Sequence, residues 1–116
     1  MRRRLSHVIG FDDGPFPAGH RGDVLVVGAV FAGLRLDGVV SCRVRRDGAN
    51  ATRALVRAVS ESQFATHLQL VMLQGIAFGG FNVVDIETLH GELAVPVMVV
   101  ARASSSAVKW WSRAPT

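Results

Sequence analysis

The chain has 116 residues, 49% of them hydrophobic and 19% charged, with a formal net charge of +4 at pH 7. That length holds one domain with a real core but not two, and the composition excludes a disordered chain. Gly and Asp interrupt each apolar run before the roughly 18 residues that span a bilayer, so no membrane partner is expected. Met1-Arg2-Arg3-Arg4-Leu5 has a basic start but no long apolar stretch before Asp12, which argues against a signal peptide. The positive charge favours polyanionic partners.

In chain order, Ser6 to Phe11 reads as a first strand. A loop rich in Gly and Pro, Gly14 to Gly22, leads to Asp23 to Phe31, whose near-continuous apolar run suits a central strand. Leu36-Asp37-Gly38 reads as a turn or strand entry, and Val39 to Arg45 as a third strand in an antiparallel meander. At Asp47-Gly48-Ala49-Asn50 the period becomes helical. Ala51, Ala54, Leu55, Ala58 and Val59 form one apolar stripe, with Arg53, Arg57 and Glu61 outside it and Asn50 as N-cap. A buried strand follows over Leu68 to Leu73. Val83 to Leu93 reads as a short helix, and Val95 to Ala101 as a final strand.

The order βββαβαβ is that of an α/β, ribonuclease H-like mixed sheet, with residues 1–102 as a single domain. Residues 103–116 show no helical stripe, so the tail is atypical and the helix that would cover the sheet is expected to be missing. A sheet face left open would favour self-association into a homo-oligomer, or Trp110 and Trp111 would fold back as a partial lid. The lone Cys42 has no disulfide partner, and His7, His20, His67 and His90 are too scattered for a structural zinc site. An unpaired thiol without an export signal fits the cytoplasm.

The chemistry concentrates around the acids. The strand His7-Val8-Ile9-Gly10-Phe11 runs straight into Asp12 and Asp13, followed by the turn Gly14-Pro15-Phe16. Carboxylates at the end of a buried strand face both a rigid scaffold and an open cleft, the placement used to hold Mg²⁺ or Mn²⁺ against a phosphate. Asp-Gly and Gly-Pro are also ordinary turn chemistry, and that reading stays open for Asp12, Asp13 and Asp47. Asp85, three residues after Asn82, also reads as a helix cap. Arg43 and Arg45 share one strand face and form a basic stripe.

Three blocks, Ile9 to Phe16, Asp47 to Thr52 and Leu73 to Asp85, together resemble the archaeal endonuclease dU family, formerly of unknown function and similar to endonuclease V. The resemblance covers roughly residues 7 to 102. It implies a ribonuclease H-like fold and metal-dependent cleavage of DNA near deoxyuridine or other deaminated bases. Carried onto this sequence, Asp12 takes the place of the metal-binding aspartate at the end of strand one. Gln74 stands where many family members carry an acid in Leu-Asp-Gly. A carboxamide offers one neutral oxygen, so affinity for a hard cation should fall. A site rebuilt from Asp12, Asp13, Asp47 and Asp85 would hold the metal through Asp12, Asp13, Asp85 and Gln74.

Gly79 and Gly80, with Phe81 and Asn82, form a candidate nucleic-acid contact beside Arg43 and Arg45. Glycine lets a backbone approach closely, and Phe78 or Phe81 would stack on a displaced base unless buried in the core. The segment matches neither a P-loop nor a dinucleotide fingerprint. Two other classes stay open: a catalytically silent nucleic-acid-binding domain, and a homo-oligomeric scaffold whose acids are turns and caps.

Overall fold

Side-chain alternation with a period of two builds the first three strands. In the computed structural model, which describes residues 6–101 and 107–111, β1 (Val8–Asp13) turns Ile9 and Phe11 into the core. β2 (Asp23–Ala32) does the same with Val24, Val26 and Val30, and β3 (Arg35–Arg45) with Val40 and Val44. The three pair antiparallel, with Phe11 opposite Gly28 and Val26 opposite Cys42. Gly28 leaves room for its neighbours, because a Cβ there would stand 2.6 Å from the Phe11 ring and 2.8 Å from Ile9 Cδ1.

The third strand begins earlier than the sequence suggests. The chain reverses at Gly33, with φ of 63°, and Leu36 to Gly38 already belong to β3. Gly38 serves packing here, since a Cβ would meet Phe64 Cζ at 2.5 Å. Asp37 is held by His7 Nε2 at 3.1 Å rather than by a turn.

α1 (Ala51–Ser60) buries Ala51, Leu55 and Val59 on the stripe expected of it. β4 (Leu70–Gln74) then pairs parallel to β1, and β7 (Val97–Ala101) parallel to β4. Parallel neighbours need a crossover, which α2 (Ile86–Leu93) supplies. The order of the six-stranded sheet is β3-β2-β1-β4-β7-β8.

Three strands were not anticipated. β5 (Ala77–Phe78) and β6 (Asn82–Val83) form a short hairpin between β4 and α2, so the helix starts at Ile86 instead of Val83. β8 (Ala107–Trp111) pairs antiparallel with β7, so this part of the tail extends the sheet edge, with Trp110 opposite Met98 and Trp111 opposite Val97, and is not a lid. The Arg2-Arg3-Arg4 cluster and the remaining tail lie outside the described residues.

Both helices pack on one face of the sheet, over a core that includes Phe11, Val71, Leu73, Val97 and Leu89. Among the described residues no helix covers the other face, where Leu25, Phe31 and Val39 are exposed. No helix there is long and apolar enough to cross a membrane. β1, β3, β4 and β7 run in the same direction, so their carboxyl ends gather at one edge, where open α/β sheets bind ligands.

Candidate functional site

Asp12 and Asp13 are consecutive in β1 and so point to opposite faces. Asp12 faces the open side and is exposed, its Oδ1 accepting the backbone N–H of Asp13 at 2.9 Å. Gln74 ends β4 one residue beyond the pair Phe11↔Leu73, which sets it beside Asp12 across the parallel ladder. Asp12, Asp13, Gly14, Pro15, Phe16, Gln74 and Gly75 line a cleft of about 540 Å³.

Asp13 and Asp47 hold backbone. Asp13 Oδ2 accepts the Gly79 N–H at 2.8 Å. Asp47, itself at a φ of 54°, accepts the Phe81 N–H at 2.8 Å through Oδ1 and donates its own N–H to the Gly79 carbonyl at 2.8 Å. The β5–β6 turn is therefore fastened to the ends of β1 and β3 by two carboxylates. Gly80 is required at that turn, with φ of 87° and no space for a Cβ beside Asp47 Oδ1.

Asn82 is fully buried, and its amide is satisfied on both sides. Oδ1 accepts the Ala51 N–H, and Nδ2 donates to the Arg45 carbonyl at 2.9 Å and to Asn50 Oδ1 at 2.7 Å. Asn50 accordingly makes no side-chain cap on its own helix, α1; Asn82 supplies that bond. Asn82 is thus a structural residue, and so is the fully buried Phe78. Phe81 stands out in solvent.

Asp85 is the N-cap of α2, with Oδ1 accepting the Thr88 N–H at 3.1 Å. That bond lowers its pKa below the ordinary aspartate value. It does not line the cleft, so the structure brings together Asp12, Asp13 and Gln74, sets Asp47 on the far side of the hairpin turn, and leaves Asp85 in the helical layer. Among the described residues no three His, Cys, Asp or Glu side chains gather closely enough to hold a metal ion. Arg43 and Arg45 do share an exposed face of β3, but that edge strand lies two strands from β1, about 10 Å away.

Sequence reasoning missed Arg46. Its guanidinium donates to the carbonyls of Ala18 at 2.6 Å and His20 at 2.5 Å, lies 5.2 Å from the centre of the Phe16 ring, and sets Nε 3.6 Å from Asp47 Oδ2. The Arg46-Asp47 pair thereby ties the loop bearing Phe16, Ala18 and His20 to the hairpin turn. The only signal in the sequence was the position of Arg46 between a strand and an Asp-Gly turn.

A mixed sheet of this order, with an acid-bearing cleft at the carboxyl ends of adjacent parallel strands, defines an α/β protein of ribonuclease H-like fold. Solved structures share the architecture. A protein of unknown function from Archaeoglobus fulgidus superposes with a TM-score of 0.77 at 34% identity, over 85% of this chain and 55% of that one. Endonuclease V from Bacillus subtilis gives 0.63 at 11% identity, over 87% and 46%. Endonuclease V from Ciona intestinalis, crystallised with DNA containing an inosine, gives 0.61 at 12%, over 86% and 47%.

The chain belongs to the endonuclease dU family, whose profile matches residues 4–110. A UPF0215 protein of Deinococcus radiodurans is 62% identical over 99 residues, which are 85% of this chain and 50% of that protein. Its counterpart in Methanothermobacter thermautotrophicus is 46% identical over 96 residues, 82% and 47% of the two chains. The chain spans about half the length of these relatives.

Proposed function

We propose that the cleft between Asp12 and Gln74 hydrolyses phosphodiester bonds in DNA with the help of Mg²⁺ or Mn²⁺, at deoxyuridine or other deaminated bases. The observation that supports this most is the placement of Asp12 beside Gln74, one residue beyond the last register pair of two parallel strands, in a chain of the endonuclease dU family. The description of that family and the inosine-containing DNA bound by Ciona intestinalis endonuclease V support the substrate class. The lone Cys42 is consistent with a reducing cytoplasm.

The donor set fits one hydrated ion. Mg²⁺ keeps several waters and needs only one or two carboxylates plus a substrate phosphate. Asp12 would hold it, with the neutral Gln74 oxygen as a weak second ligand, while Asp13 on the opposite face of the strand is engaged by the Gly79 N–H. Among the described residues, Asp85 is committed to its helix and Asp47 to the hairpin, so neither stands beside this ion. A bound ion supplies charge stabilisation on the phosphate and a lower pKa for water. Within the chain itself, Asp12 brings an exposed carboxylate to the cleft, Asp13 holds the hairpin through Gly79, and Pro15 and Phe16 line the cleft.

The amide at Gln74 favours a second reading, a domain that binds nucleic acid without cutting it. The test uses labelled DNA with one deoxyuridine, Mn²⁺ or Mg²⁺, an undamaged control and Asp12→Asn. Cleavage by the native chain that is lost in the variant and in EDTA supports the nuclease. Binding without cleavage supports the silent domain, and neither binding nor cleavage by folded protein overturns both.

A further inference from the structure

We propose that the open face of the sheet pairs with the same face of a second copy of this chain. Interstrand register sets the side chains of that face in rows. Val39, Ala29, Gly10, Met72 and Met98 lie side by side across β3, β2, β1, β4 and β7. Leu36, Phe31 and Val8 form the row below, towards the amino end of β1. Val27, Asp12, Gln74 and Val100 form the row above. The two lower rows carry no charge, yet Val39 is 58% exposed and Phe31 39%. β1, β4 and β7 pair parallel, and parallel strands are characteristically covered on both faces. Here the helices cover one face, and among the described residues no helix covers the other.

Size and shape decide the occupant. Three rows across five strands span about 24 Å by about 20 Å. That is about 500 Å² on one copy and about 1,000 Å² in the pair, the size from which specific interfaces begin. A single helix about 10 Å across would leave half of the face wet, whereas a second sheet packs over its full width. The face also fits itself, as a two-fold contact requires. Phe31 projects from it, while Gly10 and Ala29 floor a trough of about 290 Å³, where a Cβ added to Gly10 would meet nothing within 4 Å. The Phe31 ring of one copy enters the trough of the other. Arg43 and Arg45 lie on the edge strand β3 beyond these rows, so the pair buries neither charge. Asp12 and Gln74 stand in the upper row, so the second copy lies against the open side of their cleft and walls it.

The test is sedimentation equilibrium of the 116-residue chain from about 1 to about 100 μM, with no DNA or metal present. The expected species is a dimer, twice the chain mass of 12.4 kDa. Val39→Lys and Phe31→Lys, which bring a charge into the centre of the contact, should weaken it by about tenfold or more. Arg53→Glu, exposed on α1 over the other face, should leave it unchanged. In the native chain Met72 and Met98 should be oxidised by peroxide more slowly at the concentration where the dimer forms than in dilute solution. That reading needs no variant, so it decides the matter even where a lysine prevents folding. A monomer throughout the range, a dimer that survives both lysine variants, methionine oxidation independent of concentration, or open-ended aggregates in place of a closed pair would each overturn the proposal. Because no reading uses DNA or metal, such a failure leaves the nuclease reading where it stands.

Discussion

The side-chain oxygen of Asn82 accepts the backbone N–H of Ala51 at 2.8 Å, so a hairpin strand caps a helix 31 positions earlier in the chain. The same amide fixes the end of β3 through the Arg45 carbonyl. Asn82→Ala leaves a buried N–H and a buried carbonyl without partners, and should cost about 2–4 kcal/mol in urea unfolding. Asn82→Asp keeps the acceptor for Ala51 but loses both donors and should also destabilise the fold. A cost under about 0.5 kcal/mol for Asn82→Ala would show that the amide is replaceable.

Gly28 gives a separate check on the core. Gly28→Ala places a methyl against Phe11 and Ile9 on a tightly packed face and should lose about 1–3 kcal/mol. Shortening the opposing side chain, as in the double variant with Phe11→Leu, should recover part of that loss. Additive losses would place the strain elsewhere.

Arg46 ties the loop at Ala18 and His20 to Asp47, which fastens the hairpin turn. Arg46→Ala removes its bonds to Ala18 and His20 and its contact with Phe16, and should raise amide exchange in residues 15–21. Stability should fall by about 1–3 kcal/mol. Arg46→Lys should rescue this poorly, since an ammonium cannot reproduce the planar fork. Unchanged exchange in this loop would mean that its own turns hold it.

The pH response of Asp85 has a definite sign. Its carboxylate is stabilised by the Thr88 N–H, so its pKa is lower folded than unfolded. The stability it adds is present at neutral pH and above the unfolded value, and is lost as pH falls through the folded value, in the region below about pH 4. Asp85→Asn should therefore flatten the acid limb of the melting-temperature profile. An unchanged limb would assign the acid sensitivity to other carboxylates.

Gln74→Asp adds a negative charge beside Asp12. It should tighten Mn²⁺ binding roughly tenfold by calorimetry, because a carboxylate replaces a neutral oxygen on a hard cation. No gain would argue that the metal does not sit between these two strands.

Much of the frame was legible in the chain. Ile9 and Phe11, Val24 and Val26, and the Ala51-Leu55-Val59 stripe follow periods of 2 and 3.6, which depend only on local geometry and apolar contrast. The order of those elements then fixed the sheet, and Asp12 was placed at a strand end with Gln74 at another. The hairpin was illegible because β5 and β6 have two residues each, too few for any period to show. β8 was missed because its pairing with β7 depends on a distant partner.

By itself the sequence determined which residues alternate, where the strands end and which acids stand at those ends, since these follow from neighbours along the chain. Only the tertiary structure decided what the acids do. Whether a carboxylate meets a helix N–H, a hairpin N–H or an open cleft depends on which segments are brought within about 3 Å, a separation that hydrogen bonding requires and sequence spacing does not encode. That is why Asp85 became a cap, Asp13 and Asp47 became fasteners, and Asp12 came to stand beside Gln74 in the cleft.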